Sequence, residues 1–455
     1  MARSQVVPRL EPDHCKGCSR CVEACARGCI TPGAALHPAT GLVPVALDLA
    51  GCNGCGLCIQ ACPEPYALVP ANGPGALVGL PPVAHDVPDR RLPLPPARAM
   101  LLKGNHAAAV GALLAGCRHF FGYPITPSTE GAELMAKLLP ALGGTFLQAA
   151  SEIAAVNLMY GCAGAGRRTM TFTSGPGFSL MLEGISYMIG AELPGVFVDV
   201  MRAGPGLGNI GPEQADVKLA CRGLGHGNTH APVLAPASPQ ELLDLTMHAF
   251  ALAFRWRTPV IVLADGVLGQ MSGRVALPAE RIEPGLPAWA VSGDAAHRRN
   301  LHCSIQLRET DQEAHNLRLV EKYRRIAAAE ARAERFRCDD AEVLVVACNS
   351  PARAARGAVE ALRAEGIAAG LFRPQTLWPF PVRALVPLLD RARRLVVVEA
   401  SDGQLEDEVR LALSHAGAGA GLAWSHVRHH GGVLPRLDEI VGAVRRAAGR
   451  EAVAA

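Results

Sequence analysis

Cys15-x2-Cys18-x2-Cys21-x3-Cys25 is repeated as Cys52-x2-Cys55-x2-Cys58-x3-Cys62, so the first 62 residues carry one cysteine spacing twice. That pattern leaves little choice of chemistry or of local fold. Thiolates two residues apart can turn onto one iron–sulfur cube, and the fourth cysteine of each run, followed in the second copy by Pro63, ligates the other cube. Two [4Fe–4S] clusters are therefore expected. The first is held by Cys15, Cys18, Cys21 and Cys62, the second by Cys52, Cys55, Cys58 and Cys25. Zinc knuckles show two ligand pairs separated by a longer loop and would leave the third cysteine of each run idle; a disulfide framework fits no better. The pattern departs in two places: Ala26 stands after Cys25 where proline is usual, and Cys29 is a ninth cysteine. Cys29 is read as a free thiol, with alternative ligation of the second cluster left open.

This part resembles a bacterial two-cluster ferredoxin, a carrier of single electrons. Residues 1–75 hold five Lys/Arg and five Asp/Glu, whereas a free ferredoxin that serves many partners is commonly acidic. Balanced charge suits a module attached to one customer, the rest of its own chain. At 455 residues with 49% hydrophobic content, the chain has room for about three domains. Its start, MARSQVVPRL, lacks an apolar signal core, and no apolar run reaches bilayer length. A cytoplasmic protein with no membrane partner is expected. Cys117, Cys162, Cys221, Cys303, Cys338 and Cys348 are too scattered to suggest pairing and read as free, mostly buried thiols. A net charge of +3 gives no footprint for nucleic acid.

The sequence predicts an α/β fold with five segments. Residues 1–69 form the two-cluster domain, and 70–97 a Pro/Gly-rich linker read as a semi-rigid tether. Residues 98–275 form a parallel α/β domain in which strands at His119–Tyr123, Thr145–Gln148, Thr169–Thr173, Val196–Val200 and Pro259–Ala264 alternate with helices. Residues 276–340 connect, with Arg318–Arg337 read as an exposed helix. Residues 341–455 form a smaller C-terminal α/β domain.

Candidate site residues fall where strands of the large domain end. Thr126, in Tyr123-Pro-Ile-Thr-Pro, follows the first strand, and Glu152 opens the next helix after Ser151. Ser174 and Gly175 belong to the turn Thr173-Ser-Gly-Pro-Gly177, and Arg202 follows the strand at Val196–Val200. Ligands of open parallel sheets bind at such carboxyl ends, beside helix N-termini that attract anions. Thr126 can donate to a carboxylate and Arg202 can grip one with parallel hydrogen bonds. Each residue also has an ordinary structural explanation: Ser128 or Thr129 as a helix cap, Glu152 as a first-turn carboxylate facing the dipole. Two further motifs are weak. Gly206-Leu-Gly-Asn-Ile-Gly211 matches a dinucleotide fingerprint but has no acidic residue about 20 positions on. Asp265-Gly266 resembles half of a magnesium-diphosphate motif, with Ala264 in place of its first glycine and no well-placed Asn following.

Tyr123-Pro-Ile-Thr-Pro, the Ala-Ser-Glu-Ile-Ala-Ala run around Glu152, Thr-Ser-Gly-Pro-Gly and Leu377-Trp-Pro-Phe-Pro381 together resemble the alpha subunit of 2-oxoacid:ferredoxin oxidoreductases, over roughly residues 98 to 450. The resemblance implies a thiamine diphosphate pyrimidine-binding domain followed by a transketolase-C-like domain. It also implies a separate beta subunit carrying the diphosphate and Mg2+ site, a gamma subunit, and an external ferredoxin. The implied reaction converts a 2-oxoacid and coenzyme A to acyl-CoA and CO2. By the same resemblance Glu152 protonates the aminopyrimidine, Ser174 and Gly175 line the cofactor, and Thr126 and Arg202 hold the substrate carboxylate. Met201-Arg-Ala-Gly-Pro-Gly-Leu-Gly-Asn-Ile210 and Asp265-Gly-Val-Leu-Gly-Gln-Met271 look most like enzymes of branched-chain 2-oxoacids such as 3-methyl-2-oxobutanoate. A 2-oxoglutarate enzyme, with His226 or His230 meeting the distal carboxylate, is the alternative; a non-catalytic electron-transfer adaptor is a third reading. Gly403-Gln404 resembles a turn of the family whose role the sequence does not assign.

Overall fold

The computed structural model describes residues 6–64, 66–72, 86–294, 296–297 and 300–450. It divides into two compact units, Met1–Val87 with Pro287–His315, and Pro88–Leu286 with Asn316–Ala455.

The first unit is built around the cysteine repeats. Pro8–Leu10 pairs antiparallel with Leu68–Pro70, and Ile30–Pro32 with Val45–Leu47. Two five-residue helices, Arg20–Ala24 and Leu57–Ala61, carry Cys21 and Cys58. The copies turn alike: Gly17 and Gly54, each just before the second cysteine of its run, have φ of 67° and 68°. A side chain at Gly17 would also strike the Val43 carbonyl oxygen at 2.2 Å, so the turn requires glycine twice over. The core is small and made partly of sulfur: Cys15, Cys21 and Cys58 are buried with Ile30, Val45, Ala67 and Leu68.

Among the described residues the second unit holds two large sheets and two small two-stranded ones. The larger has seven strands in the order Thr376–Trp378, Val233–Leu234, Pro259–Asp265, Gly195–Met201, Thr169–Thr173, His119–Gly122, Thr145–Gln148. All its pairings are parallel except that of Thr376–Trp378 with Val233–Leu234. Every residue of Gly195–Met201 and of Pro259–Asp265 is buried, as expected for central strands covered on both faces. Helix Gly104–Leu114 packs on helix Pro239–Trp256 so closely that a Cβ at Gly111 would meet the Leu243 carbonyl oxygen at 2.4 Å. Ser151 and Ser238 cap helices Glu152–Gly164 and Pro239–Trp256, accepting from Ala154 and Glu241 N–H at 3.2 and 3.1 Å.

The smaller of the two large sheets runs Ala333–Phe336, Ala369–Pro374, Val343–Val346, Arg394–Glu399, Ala423–Arg428, parallel except for its first pair. Four features differ from the sequence expectation. The helix expected at Arg318–Arg337 is Glu309–Ala329, and its Leu319, Tyr323 and Ile326 are buried. Lys322 bonds both Glu192 and the Arg257 carbonyl at 3.1 Å, so charge there is used inward. Ala333–Phe336 is a strand, hidden by its charges: Glu334 pairs with Arg373 at 2.7 Å, and Arg373 also grips Glu241. Of the stretch read as a tether, 73–85 lies outside the described residues, and Arg90–Pro93 forms a strand paired with Glu280–Glu283. The fourth difference joins the domains: Thr376–Trp378, which contains the first two residues of the Leu377-Trp-Pro-Phe-Pro381 motif, leaves its own sheet to edge the large one.

No helix among the described residues is long and apolar enough to cross a membrane.

Candidate functional site

In the first unit Cys15, Cys18, Cys21 and Cys62 line one cavity, closed by Val45, Ala67 and Leu68. Cys62, 41 residues or more from the other three in sequence, reaches them because the second helix ends at Cys62. Burial, and after it the sulfurs of Cys62 and Cys15, push the Cys21 thiol up to about 11. A sulfur so placed becomes a thiolate ligand only when a cation fills the cavity. Among the described residues no three His, Cys, Asp or Glu side chains converge to hold a single metal ion, whereas sulfurs arranged around a void suit a cube. Around the second set, Cys58 lies within electrostatic reach of Cys25 and Cys55. Cys29 N–H donates to the Cys25 sulfur at 3.3 Å. All fifteen cysteines are free of disulfides.

In the second unit Arg202, Ser174, Thr126 and Glu152 stand at the C-terminal ends of four neighbouring parallel strands, in that order across the sheet. Two of them touch directly. Arg202 Nη1 donates to the Thr126 carbonyl oxygen at 3.0 Å and Nη2 to that of Leu207 at 3.2 Å. A Cβ at Gly175 would lie 3.8 Å from Arg202 Cγ, and one at Gly177 would lie 2.5 Å from both Glu152 Oε1 and Thr173 Oγ1. Glu152 is only 6% exposed, yet it is not needed as a cap because Ser151 fills that role. Thr173 Oγ1, Ser174 Oγ and Arg202 Nε are buried without a hydrogen-bond partner. Buried polar atoms left unmatched around a carboxyl are the mark of a polar ligand's seat, and they fit an aminopyrimidine ring.

Thr126 is exposed, and the turn carrying it is braced from beneath. Asn105 Nδ2 donates to the Pro127 carbonyl at 2.8 Å and to Glu130 at 3.0 Å, while Lys103 Nζ reaches Glu130 at 3.2 Å. Ser128 sits at the cap position of helix Thr129–Leu138 without capping it, bonding back to the Ile125 carbonyl instead. The backbone carries the turn and leaves the Thr126 side chain available.

The two weak motifs have structural explanations. After Gly206 to Gly211 no helix opens until Val217, so the glycines offer no helix N-terminus to a diphosphate. Asp265 is fully buried and its oxygens are spent: Oδ1 accepts from Val267 N, Leu268 N and Ser350 Oγ, and Oδ2 from Ser350 N. It rivets the large domain to helix Asn349–Ala364. His230 stacks on Trp378 at 4.8 Å with Tyr323 edge-on, and burial lowers its pKa, so it is held neutral. His226 is exposed. Gln404, unassigned from sequence, accepts from Lys218 N–H and donates to the Ala215 carbonyl, both at 2.8 Å.

Gly177→Ala is expected to leave the chain folded and displace the Glu152 carboxyl, because the new methyl would overlap it. Any turnover that depends on Glu152 should fall by about 10²-fold. Circular dichroism alongside turnover checks it; full activity would show that Glu152 need not lie where it does.

The chain matches the model described as "Pyruvate flavodoxin/ferredoxin oxidoreductase, thiamine diP-bdg" over residues 110–285. It matches pyruvate:ferredoxin oxidoreductase core domain II over 341–440, and a 4Fe-4S dicluster domain over 14–65. It is 48% identical to the ketoisovalerate oxidoreductase subunit VorB of Methanothermobacter thermautotrophicus over 351 residues, covering 77% of this chain and 98% of that one. It is 41% identical to the 2-oxoglutarate synthase subunit KorA of Archaeoglobus fulgidus over 321 residues, covering 68% and 90%. Among solved structures, the 2-oxoglutarate:ferredoxin oxidoreductase of Magnetococcus marinus, with 2-oxoglutarate, coenzyme A and succinyl-CoA bound, superposes with a TM-score of 0.68 at 26% identity. That likeness covers 77% of this chain, which spans 65% of the Magnetococcus chain.

Proposed function

Because this chain belongs to the 2-oxoacid:ferredoxin oxidoreductase family, we propose that it is the alpha subunit of an enzyme that oxidatively decarboxylates a branched-chain 2-oxoacid, with 3-methyl-2-oxobutanoate the favoured substrate. The products are acyl-CoA, CO2, one proton and two electrons, the electrons leaving singly through two [4Fe–4S] clusters to an external ferredoxin. A beta subunit completes the thiamine site and holds Mg2+ with the diphosphate; a gamma subunit accompanies it.

The observation that carries this reading is the Glu152 carboxyl, buried against Gly177 beside the unmatched Thr173 hydroxyl at the sheet's C-terminal edge. Thiamine diphosphate, when bound, supplies the electron sink for the carbanion that decarboxylation leaves. Glu152 holds the proton at the ring nitrogen of the aminopyrimidine, and Ser174 and Gly175 line the same ring. The Thr126 hydroxyl donates to the substrate carboxylate. Arg202 retains one N–H on each Nη, and its Nε, after holding the Thr126 and Leu207 carbonyls, so it can meet the same carboxylate while fixing Thr126. These contacts orient more than they accelerate, since the carboxylate's charge is lost as CO2 leaves. Cys15, Cys18, Cys21 and Cys62 hold one cluster, and Cys52, Cys55, Cys58 and Cys25 the other. Fusion raises the clusters' effective concentration at the active site without any new contact.

A branched side chain is favoured because the loop after Arg202 presents Leu207 and Ile210, 79% and 64% exposed, while His230 is stacked on Trp378 with its pKa lowered by burial and brings no charge for a distal carboxylate. Co-purification with the partner subunits, then a coenzyme A-dependent comparison of substrates, tests the reading. The kcat/KM for 3-methyl-2-oxobutanoate should exceed that for 2-oxoglutarate by at least about 10-fold. The reverse order would move the chain to the 2-oxoglutarate enzymes.

A further inference from the structure

Asp199 lies in the middle of the buried strand Gly195–Met201, wholly inaccessible and directly opposite Thr173 on the neighbouring strand. Asp216 stands at the N-cap position of helix Val217–Arg222, where an aspartate ordinarily bonds the helix N–H groups. It makes no such bond. Its carboxyl turns inward to that of Asp199, each within hydrogen-bonding reach of the other. Both oxygens of Asp199 and Oδ2 of Asp216 otherwise lack a formed hydrogen bond, although the Gly175 N–H is turned toward both carboxyls. A Cβ on Gly175 would lie 3.7 Å from Asp216 Oδ2. Two ionised carboxylates are acceptors only and cannot bond each other, so the contact requires a proton on one of them.

The segment carrying Asp216 is held from the C-terminal domain on both sides. Gln214 exchanges backbone and side-chain bonds with Ala400 at 2.7 and 2.8 Å, and donates to Asn349 Oδ1 at 3.1 Å. Gln404 grips Ala215 and Lys218 as described. On the far side of the pair, Gly175 opens the helix whose Gly177 lies against the Glu152 carboxyl.

We propose that Asp199 and Asp216 share one proton and act as positioning residues, a latch through which the C-terminal domain fixes the Ser174–Gly177 turn beneath Glu152. The shared proton is independent of the enzyme reading; the consequence for Glu152 rests on it. The groups facing the pair are Glu213 and Arg202 from the connecting segment, the Gly175 N–H from its helix and Thr173 Oγ1 from the adjacent strand. Burial first, then the neighbouring Asp216, holds Asp199 well above the carboxylate range, and burial lifts Asp216 to about 6. Raised pKa values in the folded state mean stability that is complete below the unfolded carboxylate pKa of about 3.9 and is lost as pH rises through the folded values. The wild type should therefore lose thermal stability relative to Asp199→Asn as pH rises above about 4 and through the folded value of about 6 for Asp216, because the introduced amide would supply the donor without a titrating proton.

Infrared difference spectra of the full chain, wild type minus variant, test the proton. At pH 7 a protonated-carboxyl C=O band should be present in the wild type and absent from both Asp199→Asn and Asp216→Asn. No such difference band overturns the proposal. In the assembled enzyme Asp216→Ala should lower kcat at least about 10-fold while Asp216→Asn stays within about 3-fold; equal losses in the two overturn the latch. If wild type turns over no 2-oxoacid, the enzyme reading fails and the infrared comparison alone decides the shared proton.

Discussion

Glu152→Gln in the assembled complex is expected to lower 2-oxoacid-dependent viologen reduction by about 10²- to 10⁴-fold, the range of a lost proton-transfer group. Iron should stay at about eight per chain, as two four-iron clusters require. The substitution is almost isosteric, so packing over Gly177 survives. It leaves the helix start intact too, because Ser151 already caps the Ala154 N–H. What Gln cannot do is hold and return a proton at the pyrimidine nitrogen. A bland account of Glu152, that a first-turn carboxylate merely favours the helix dipole, predicts a loss of stability of about 0.3–1 kcal/mol and unchanged turnover. Retained activity with full iron would therefore support a non-catalytic adaptor that keeps the fold as a docking platform.

The placement of Glu152, Thr126, Ser174 and Arg202 at strand ends was legible because each signal is local: a strand, then a short turn carrying a polar residue. Period and turn chemistry put all four at strand ends, and parallel neighbours then share an edge. The partners of Asp199 and Gln404 had no such signal. Asp199 sits among apolar residues as a lone polar letter, and Asp216 reads as an ordinary cap; nothing local says that they meet. Gln404 lies 186 residues from Lys218, and a side-chain amide accepting one backbone N–H leaves no periodic trace. Thr376–Trp378 escaped for the same reason: a three-residue strand is too short to alternate, and its partner Val233–Leu234 belongs to the other domain. Ala333–Phe336 was masked by charge that a sequence reads as solvent-exposed but that ion pairs with Arg373 bring into the sheet. Residues holding one element were readable, whereas residues joining two domains were not.

The crossed ligation proposed for the clusters predicts the second large effect, which can be separated from simple cysteine loss by pairing substitutions. Cys62 follows Cys52, Cys55 and Cys58 in sequence but lines the cavity of Cys15, Cys18 and Cys21. Cys18→Ser with Cys62→Ser therefore damages one cluster twice and should leave about four irons per chain. Cys55→Ser with Cys62→Ser damages both and should leave almost none, with electron paramagnetic resonance of the reduced chain losing both signals. Uncrossed ligation predicts the opposite result for the two doubles. The stability consequence differs as well. The core of this unit is made partly of Cys15, Cys21 and Cys58, and a fold so small relies on its inorganic core. The chain that keeps one cluster should resist protease within residues 6–64, while the chain that loses both should be cleaved there first, with the α/β unit left intact.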